Sequence, residues 1–504
     1  MDRLYIGPPL PGGGRRIVTG KTRSIDPSDA SHRERVQVCM SDKLKSDSLS
    51  FFESLIMGVA GSAPGFSIAV AISGLLATAG FASPNAVLIF ALPMLGIALA
   101  YKGLNQKFAS AGAAYEWTKI GFGKPFGYFS GWALLIATMV FMVAGSVPLG
   151  TATIDLINPS LADHVLLTTS IGAFWFVGIG LVLIAGIEIT SKVQVVMSSI
   201  ELLILFSISV AAFVRTATGH AVNPFSWAWF GFHYSRASFA SSALIVVFLY
   251  WGWDVTANLS EETRNDRPNA AGNGGFLSVF VTIASFAAFT AATLMLFSLR
   301  DASGFSDNLI FRVAAAAGLG KAGGYAAALA MILSGVATLE TSMLQFSRTL
   351  FAMGRDRALP GYFGQVHART VTPVRTMYLL LAVGLAMIFA SSFMPSIASI
   401  LADSVNAIAV QVSYYYGLAG LVCAWLYRDS HRESPVTFLQ YAAAPALSAI
   451  ALMTLGVYAI STFDTTSRIV GIGGLIGGVL FFRPNGYRRA VASLDGASAR
   501  DSPA

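Results

Sequence analysis

Charged residues are scarce in this sequence of 504 residues. Asp, Glu, Lys and Arg make up 12% of the chain and hydrophobic residues 55%, with a mean hydropathy of +0.64. Soluble domains contain roughly 25% charged residues, so a water-soluble fold of this composition would expose large apolar patches. The apolar residues also occur in blocks of about 20, enough for a helix to cross a bilayer. The composition excludes a soluble multidomain protein and predicts an all-α polytopic membrane protein.

Cysteine is nearly absent, and the motifs of common catalytic sites are missing. Cys39 and Cys423 lie far apart, so neither a disulfide framework nor a cysteine metal site is indicated. The six histidines lack the HExxH spacing of a zinc site, and the chain has no GxxxxGK[ST] loop for nucleotide phosphates. No nucleophile–base set stands out. We therefore expect no metal, no cofactor and no enzymatic activity.

The first fifty residues contain no apolar run. Residues 1–50 lack the apolar core of a signal peptide, and we expect a mostly disordered cytoplasmic tail, with a second tail over 486–504. The residues between the tails predict about twelve transmembrane helices, at 51–79, 84–101, 126–152, 165–187, 192–215, 238–259, 273–299, 322–353, 374–394, 397–426, 438–461 and 467–482.

Lysine and arginine orient these spans. With the N-terminus in the cytoplasm, 27 of the 33 Lys and Arg residues fall on the cytoplasmic side. The positive-inside rule favours that arrangement, with both termini in the cytoplasm. The same asymmetry accounts for the net charge of +7 without a nucleic-acid partner.

The first span contains a cluster of helix-breaking residues. Gly58, Gly61, Pro64 and Gly65 fall within eight positions of an apolar run. Because proline removes a backbone donor and glycine relaxes the backbone, this sequence predicts an unwound segment near the bilayer midplane. The alternative is a close helix crossing, which small residues also permit.

The sixth span has a second anomaly over 248–258, where Gly252 and Asp254 lie among aromatic residues. The two anomalies lie five spans apart, so the second five-span unit starts from the opposite side of the membrane. Interrupted spans at matching places of inverted repeats mark the binding site of many transporters. We therefore divide the chain into repeats at 51–215 and 216–426, followed by spans 11 and 12 over 427–485.

The direction of each broken span predicts its chemistry. The second half of the first span begins near Gly65, whose free N–H group, with its neighbours, suits a carboxylate. The first half of the sixth span ends near Phe248, Leu249 and Trp251, whose free carbonyls suit an ammonium group. An α-amino acid carries both groups on adjacent atoms.

Four segments resemble the amino acid–polyamine–organocation superfamily of permeases. They are GSAPG at 61–65, AGAAYEWTKIGFGKPFGYFSGW at 111–132, FLYWGWDVTANLSEET at 248–263 and SRTLFAMGRDRALP at 347–360. The resemblance covers about 51–485 and implies the leucine-transporter fold, an inverted 5+5 core with discontinuous helices 1 and 6 and two further helices.

The resemblance also implies a substrate site. It places the substrate carboxylate on the backbone around Gly61, Ser62, Ala63 and Gly65. The amino group would lie on the carbonyls of Phe248, Leu249 and Trp251. Trp253 follows the glycine where the family often has an aromatic gate, although packing of the bundle core is the alternative role.

The sequence differs from some proton-coupled members of the family in the fifth span. Those members carry a lysine near the position matched to Glu201. The titratable candidates for proton coupling are Glu201, Asp254 and Glu340, with a purely structural role as the alternative for Asp254. Thr338 and Thr341 are candidates for a sodium site, as in sodium-coupled relatives.

Two further assignments follow the same comparison with the family. Glu261 and Glu262, with Arg264 and Arg267, resemble a cytoplasmic gate, against the default of solvated loop charges. Met139, Thr341 and Asn406 are candidates for the substrate side-chain pocket.

The sequence thus predicts a secondary-active amino acid permease of the inner or plasma membrane, working by alternating access and coupled to protons. Sodium symport, substrate exchange and polyamine or organic amine transport are the alternatives. A polyamine site would require carboxylates at the first break, and the break sequence itself has none. Outside this class, a channel or a non-transporting nutrient receptor stays open.

Overall fold

A computed structural model describes residues 43–161, 164–264, 267–305, 309–432, 434–463 and 465–483. The predicted C-terminal tail 486–504 and most of the N-terminal tail 1–50 lie outside these residues. Within them the chain is helical, and the only strand-like pairing is an isolated parallel bridge between Leu49 and Thr263.

Fourteen longer α-helices form the described structure. They are α1 (Phe51–Ser62), α2 (Pro64–Ala79), α3 (Ser83–Lys107), α4 (Ala114–Phe122), α5 (Lys124–Ile157), α6 (Val165–Ala185), α7 (Ile187–Arg215), α8 (Arg236–Leu249), α9 (Ala270–Leu296), α10 (Leu309–Ala316), α11 (Gly320–Arg355), α12 (Val374–Ser391), α13 (Ile397–Leu426) and α14 (Ala444–Thr462). Single helical turns lie at Val255–Asn258, Leu299–Ala302, Pro435–Phe438, Thr465–Arg468 and Gly474–Gly477. The 3₁₀ and π turns are Gly80–Ala82, Pro159–Leu161, Thr216–His220, Trp227–Phe230, Ser260–Glu262, Gly361–Phe363, Arg428–Arg432, Leu439–Ala443, Ile469–Gly473 and Gly478–Leu480.

Nine segments of the described chain are long and apolar enough to cross a membrane. One of them, Phe51–Lys107, contains α1, α2 and α3 together, and two shorter apolar helices lie at Arg236–Leu249 and Ile469–Leu480. The prediction of a polytopic helical membrane protein agrees with this architecture.

Helices α5 and α13 lie inside the bundle, whereas α7 lies at its edge. In the apolar window of α5, 89% of residues are buried, against 33% for the segment that contains α7. Helix α11 packs against α5, α7, α1 and α2. It therefore contacts the first broken span directly.

The first span is broken where the sequence predicts it. Helix α1 starts with a capping box between Ser50 and Glu53 and ends at Ser62. Ala63 follows in the left-handed conformation, with φ of 43°, and Pro64 starts α2. Proline suits this first helical position because its missing N–H has no intrahelical partner there.

The sixth span is also interrupted. Helix α8 ends at Leu249, Gly252 has a φ of +106°, and the chain resumes helical structure only for the turn Val255–Asn258. A left-handed φ of this kind favours glycine because it has no Cβ. Both predicted breaks are thus present.

Residues 43–50, the end of the predicted tail, pack against the loop after the sixth span. The N–H groups of Ser48 and Leu49 donate to the carbonyl of Glu262, and Arg264 N–H donates to the Leu49 carbonyl. Leu49 is fully buried. This segment therefore belongs to the folded part of the chain.

Candidate binding site at two helix breaks

The two breaks touch each other through glycine backbones. A Cβ added to Gly61 would lie 2.2 Å from the carbonyl oxygen of Gly252, and a Cβ on Gly252 would lie 2.3 Å from that of Gly61. Only glycine at both positions allows this approach. The contact brings the end of α1 and the loop after α8 to one place in the bundle.

The backbone donors at the start of α2 are occupied by side chains. Gly65 N–H donates to Glu201 Oε1 at 2.8 Å, and Phe66 N–H donates to Ser334 Oγ at 2.9 Å. Ser67 N–H donates to the Ala63 carbonyl. The N–H groups expected to be free for a substrate carboxylate at Gly65 and Phe66 therefore already have partners. Sequence reasoning missed this because α7 and α11 supply both acceptors from far along the chain.

Two backbone acceptors at the second break have no partner. The Phe248 carbonyl accepts from the N–H of Trp251 at 3.1 Å. Within the described residues, the carbonyls of Leu249 and Trp251 accept no hydrogen bond. Two of the three carbonyls predicted to receive an ammonium group are therefore free to do so.

Thr338 lies at the first break, and Thr341 lies one turn along α11. Thr338 Oγ1 donates to the Gly61 carbonyl at 3.0 Å. Thr341 Oγ1 donates to the carbonyls of Ala337 and Thr338 in its own helix. Both hydroxyl protons are thus used within the protein. Among the described residues, no group of three His, Cys, Asp or Glu residues is placed to hold a metal ion.

Aromatic rings from three helices line the contact between the breaks. Phe141 of α5 packs edge-on against Phe66 and Trp251, with ring centroids 6.0 and 5.4 Å apart. Trp251 Nε1 donates to the Tyr415 hydroxyl at 2.6 Å. Phe141 and Tyr415 were not singled out in the sequence, where each is one aromatic residue among many in an apolar helix.

The pocket candidates Met139 and Asn406 have different surroundings. Met139 packs partly buried against the hydrophobic core, two positions from Phe141. Asn406 donates to Ser467 at 3.3 Å, near the last described helices. Within the described part of the chain, Asn406 makes no hydrogen bond to either break. The role of both residues in a substrate pocket stays a prediction.

Trp253 packs in an aromatic group beside the second break. Its ring lies 5.2 Å from that of Tyr101 and 5.8 Å from that of Tyr416, and its side chain is buried. Its Nε1 group is buried without a partner. The geometry is compatible with core packing, the alternative role given to Trp253 above.

Asp254 is enclosed by hydrogen-bond donors. Oδ1 accepts from the Tyr416 hydroxyl at 2.9 Å, and Oδ2 accepts from Gln345 Nε2 at 2.7 Å and the Tyr415 hydroxyl at 3.1 Å. These partners join the second break to α11 and α13. Both carboxylate oxygens are satisfied, which favours the structural alternative for Asp254.

Glu201 and Glu340 differ in their relation to the breaks. Glu201 binds the start of α2, as described above. Glu340 lies two positions after Thr338, and successive residues of an α-helix are about 100° apart. Since Thr338 faces Gly61, Glu340 lies on the far side of α11. Its Oε1 is buried without a partner.

A network of charges joins the loop after the sixth span to the end of α11. Arg355 binds Glu261 through two hydrogen bonds of 2.7 and 2.9 Å, and Arg348 binds Glu262 through two of 2.9 Å. Ala111 N–H donates to Glu261 as well. Burial alone would raise the pKa of Glu261, but the hydrogen bonds and charge of Arg355, with the Ala111 N–H, hold it below its ordinary value.

The arginines of this network are not those expected from the sequence. Arg264 Nε donates to the Asp47 carbonyl at 3.0 Å, and Arg267 lies over the Phe51 ring. The partners come from the 347–360 segment instead, which is adjacent in space and distant in sequence. The acidic pair at 261–262 is correctly identified, and its predicted basic partners are wrong.

Helix α4 extends this network. Tyr115 donates to Asp356 at 2.9 Å, and Lys119 forms ion pairs with Glu116 and Asp356. Tyr115 and Trp117 are fully buried. The helix between the second and third spans therefore packs into the protein through its aromatic face.

These features define a helical membrane protein of several spans whose first and sixth spans break where they meet. Comparison with known proteins gives the family. Residues 49–481 match the family model described as amino acid permease, and the chain belongs to this family. The resemblance drawn from the four sequence segments is confirmed. The family is one of permeases, which are not enzymes.

Individual relatives are distant. The branched-chain amino acid permease BcaP of Lactococcus lactis subsp. cremoris (strain MG1363) is 25% identical over 456 residues, covering 82% of this chain and 89% of that protein. The low-affinity putrescine importer PlaP of Escherichia coli (strain K12) is 22% identical over 400 residues, covering 77% and 82%. The mitochondrial cationic amino acid transporter 3 of Arabidopsis thaliana is 25% identical over 290 residues, covering 55% of this chain. The match spans only 46% of that transporter's own length.

Proposed function

We propose that this protein transports amino acids or related organic cations across a membrane by alternating access around the two helix breaks. The observation that carries the proposal is the contact between Gly61 and Gly252, which joins two interrupted spans inside an apolar bundle. Unwound backbone within a membrane persists where it is buried in protein or lines a cavity. Such breaks supply the polar groups that transporters use for substrates and ions.

The full architecture is part of the proposal. Twelve spans are supported by the nine long apolar segments, because Phe51–Lys107 contains two spans and two shorter apolar helices add the rest. Repeats at 51–215 and 216–426, with a final pair of spans over 427–485, would then form the inverted 5+5 core. We place the protein in the inner or plasma membrane, with both termini in the cytoplasm.

The two breaks offer different groups to a substrate. The free carbonyls of Leu249 and Trp251 suit an ammonium group. A substrate carboxylate would bind around Gly61, Ser62 and Ala63, since the Gly65 N–H is held by Glu201. The relative BcaP is a branched-chain amino acid permease by name, and Phe66, Phe141 and Trp251 offer an apolar wall for a side chain of that kind.

Transport of organic amines is the second candidate. A polyamine site calls for a carboxylate at the first break, and Glu201 brings one there from α7. The relative PlaP is a putrescine importer by name. With free carbonyls at one break and a carboxylate at the other, a diamine would meet an acceptor at each end.

We propose that transport is coupled to protons and not to sodium. Glu201 binds the broken span itself, whereas Asp254 is satisfied by three donors and Glu340 lies on the far side of α11. The sodium candidates Thr338 and Thr341 direct their hydroxyl protons to backbone carbonyls. Their hydroxyl oxygens keep lone pairs for a cation, so the preference for protons rests on Glu201 alone.

The test is uptake into proteoliposomes of purified full-length protein. Radiolabelled amino acids in a pool, and putrescine separately, are supplied with an imposed inward proton gradient, with and without sodium. We expect saturable uptake that collapses on addition of a protonophore and does not respond to sodium. Dependence on sodium alone would replace proton coupling with sodium symport. Stimulation by internal substrate without a response to either gradient would indicate an exchanger.

Two results would contradict transport. Saturable binding without uptake would indicate a nutrient receptor, and non-saturable flux would indicate a channel. Preference for putrescine over every amino acid would select the second candidate. Liposomes containing the Gly61→Trp variant serve as the matched control, because its side chain would collide with the Gly252 carbonyl.

A further inference from the structure

Glu201 joins three helices at the first break. Its Oε1 accepts from Gly65 N–H of α2, and Ser334 of α11 lies next to the same carboxylate. Ser334 in turn accepts from Phe66 N–H. Glu201 itself belongs to α7 and is fully buried. The start of α2 is thus fastened to α7 and α11 by one carboxylate and one hydroxyl.

The second oxygen of this carboxylate is left without a partner. Glu201 Oε2 is buried and makes no hydrogen bond. If the group is ionised, Oε2 lacks a donor, and if it is protonated, its O–H lacks an acceptor. A buried polar atom without a partner is costly in either state. Among the described residues, Oε2 therefore has no hydrogen-bond partner that would fix its protonation state.

Within the described residues, no charged side chain forms an ion pair with Glu201. Helices α2, α6 and α9, which pack against α7, carry no titratable residue. The remaining titratable groups on the elements packed against α7 and on α7 itself are Glu53, Glu188, Lys192, Arg215, His220, Arg312, Lys321, Tyr325, Glu340, Arg348 and Arg355. None of these contacts Glu201, which lies next to Gly65 and Ser334.

We expect Oε2 to bind a proton and not a metal ion. Hard metal ions such as Ca²⁺ take six or more oxygen ligands at once. Among the described residues, no group of three His, Cys, Asp or Glu side chains is placed to supply such a set. A proton needs no further ligand, because it forms a covalent O–H bond with Oε2 itself.

We propose that Glu201 is a positioning residue through which the coupling proton fastens and releases α2 during transport. The inference rests on the transport function proposed above. Ionised Glu201 accepts a charge-assisted hydrogen bond at the positive end of α2 and holds that helix on α7 and α11. A proton taken up at Oε2 removes the charge, weakens this bond and frees α2 to move. Return of the proton to water on the other side restores the bond.

The test compares the wild-type protein with Glu201→Gln in proteoliposomes. Glutamine keeps the size and an oxygen acceptor for Gly65 N–H but cannot ionise. We expect substrate counterflow to persist within about threefold of wild type, since exchange needs no net proton movement. Proton-driven accumulation should fall at least tenfold, and the pH profile of uptake should flatten. Glu201→Asp, which restores a carboxylate, should recover part of the pH dependence.

Controls make the outcomes distinct. Asp429→Asn, which alters an exposed carboxylate, should behave as wild type in both assays. Wild-type protein without counterflow of any amino acid or putrescine would reject the transport function itself. If the wild type transports and Glu201→Gln accumulates substrate with an unchanged pH profile, the inference is overturned. Loss of counterflow in a folded Glu201→Gln protein also overturns it, because Glu201 would then bind substrate, as the amine candidate requires.

Protonation of Glu201 can also be measured without a transport assay. In a pH-titrated infrared difference spectrum of the purified protein, we expect a carboxylic acid band that Glu201→Gln lacks and Asp429→Asn retains. A spectrum identical in wild type and Glu201→Gln would contradict proton exchange at Glu201.

Discussion

Single residues decide how closely the two breaks approach. Gly61 and Gly252 contact each other through backbone atoms, and neither position has room for a Cβ. Backbone cannot swing aside as a flexible side chain can, so an added methyl group must push the two spans apart. The sensitivity is not shared by Gly74 in the same span, where a Cβ would have no neighbour closer than 3.8 Å.

Gly61→Ala is therefore expected to destabilise the protein and to abolish uptake. The new Cβ would lie 2.2 Å from the Gly252 carbonyl oxygen, inside any van der Waals contact. Gly74→Ala adds the same methyl group to the same span, where the nearest atom is 3.8 Å away. That control should be neutral or stabilising by up to about 1 kcal/mol, since alanine favours a helix interior. Thermal unfolding in detergent and uptake in proteoliposomes measure both, and equal behaviour of the pair would refute the close contact.

Asp254 offers a second comparison at this scale. Asp254→Leu removes the acceptor for Gln345, Tyr415 and Tyr416 and leaves their buried donors unpaired. Each orphaned donor costs about 1–3 kcal/mol, so we expect a large loss of thermal stability. Asp254→Asn keeps one acceptor oxygen, and the hydroxyls of Tyr415 and Tyr416 can reorient around it. We therefore expect this variant to lose much less thermal stability.

The pH profile of uptake separates the two roles of Asp254. A structural aspartate predicts that Asp254→Asn, where it folds, keeps the pH dependence of the wild type. A flattened profile in Asp254→Asn, beside an unchanged one in Glu201→Gln, would move the coupling role from Glu201 to Asp254.

Elements were more predictable from the sequence than the contacts between them. The predicted spans from 51–79 to 438–461 each overlap a long α-helix, because long apolar blocks and the Pro64 and Gly252 anomalies are local signals. The last predicted span, 467–482, contains only short helical turns. The partners of Glu201 and Glu261 were not predictable. Gly65 is 136 positions from Glu201, and Arg355 is 94 positions from Glu261. No periodicity within one helix indicates which residue of another helix faces it.

The contact between the loop after the sixth span and α11 is expected to depend on pH. Glu261 has a lowered pKa in the folded protein, so the unfolded chain binds its proton more readily. The stabilisation is therefore complete above the ordinary pKa range of a glutamate and is lost as pH falls through the lowered value. We expect the melting temperature of wild type to exceed that of Glu261→Gln at neutral pH, with the difference vanishing in acid.

A double-mutant cycle attributes this difference to the ion pair. Arg355→Gln should reproduce the loss, and the double variant should lose little more than either single variant. Additive losses, or a difference that persists in acid, would show that Glu261 acts through something other than Arg355. The pair is partly exposed, so added salt should weaken it.

At the scale of the whole molecule, the two ends of the bundle differ in charge. One end gathers the Glu261–Arg355 and Lys119–Asp356 pairs. At the other end, loops are joined by neutral hydrogen bonds, such as that from Asn85 to the Phe230 carbonyl. Lys and Arg residues near the ends of spans favour the cytoplasmic side, and for that reason we propose that this end faces the cytoplasm.

Cysteine labelling in cells tests this orientation. In a Cys39→Ser background, His431→Cys reports the end with the ion pairs and Gly304→Cys reports the opposite end, and both positions are exposed. The remaining Cys423 is buried, with its thiol donating to the Tyr441 carbonyl, so it should stay unlabelled. We expect a membrane-impermeant maleimide to label Gly304→Cys in intact cells and His431→Cys only after permeabilisation. The reverse labelling pattern would mean that the protein has the opposite orientation in the membrane. The proton released by Glu201 would then leave on the opposite side.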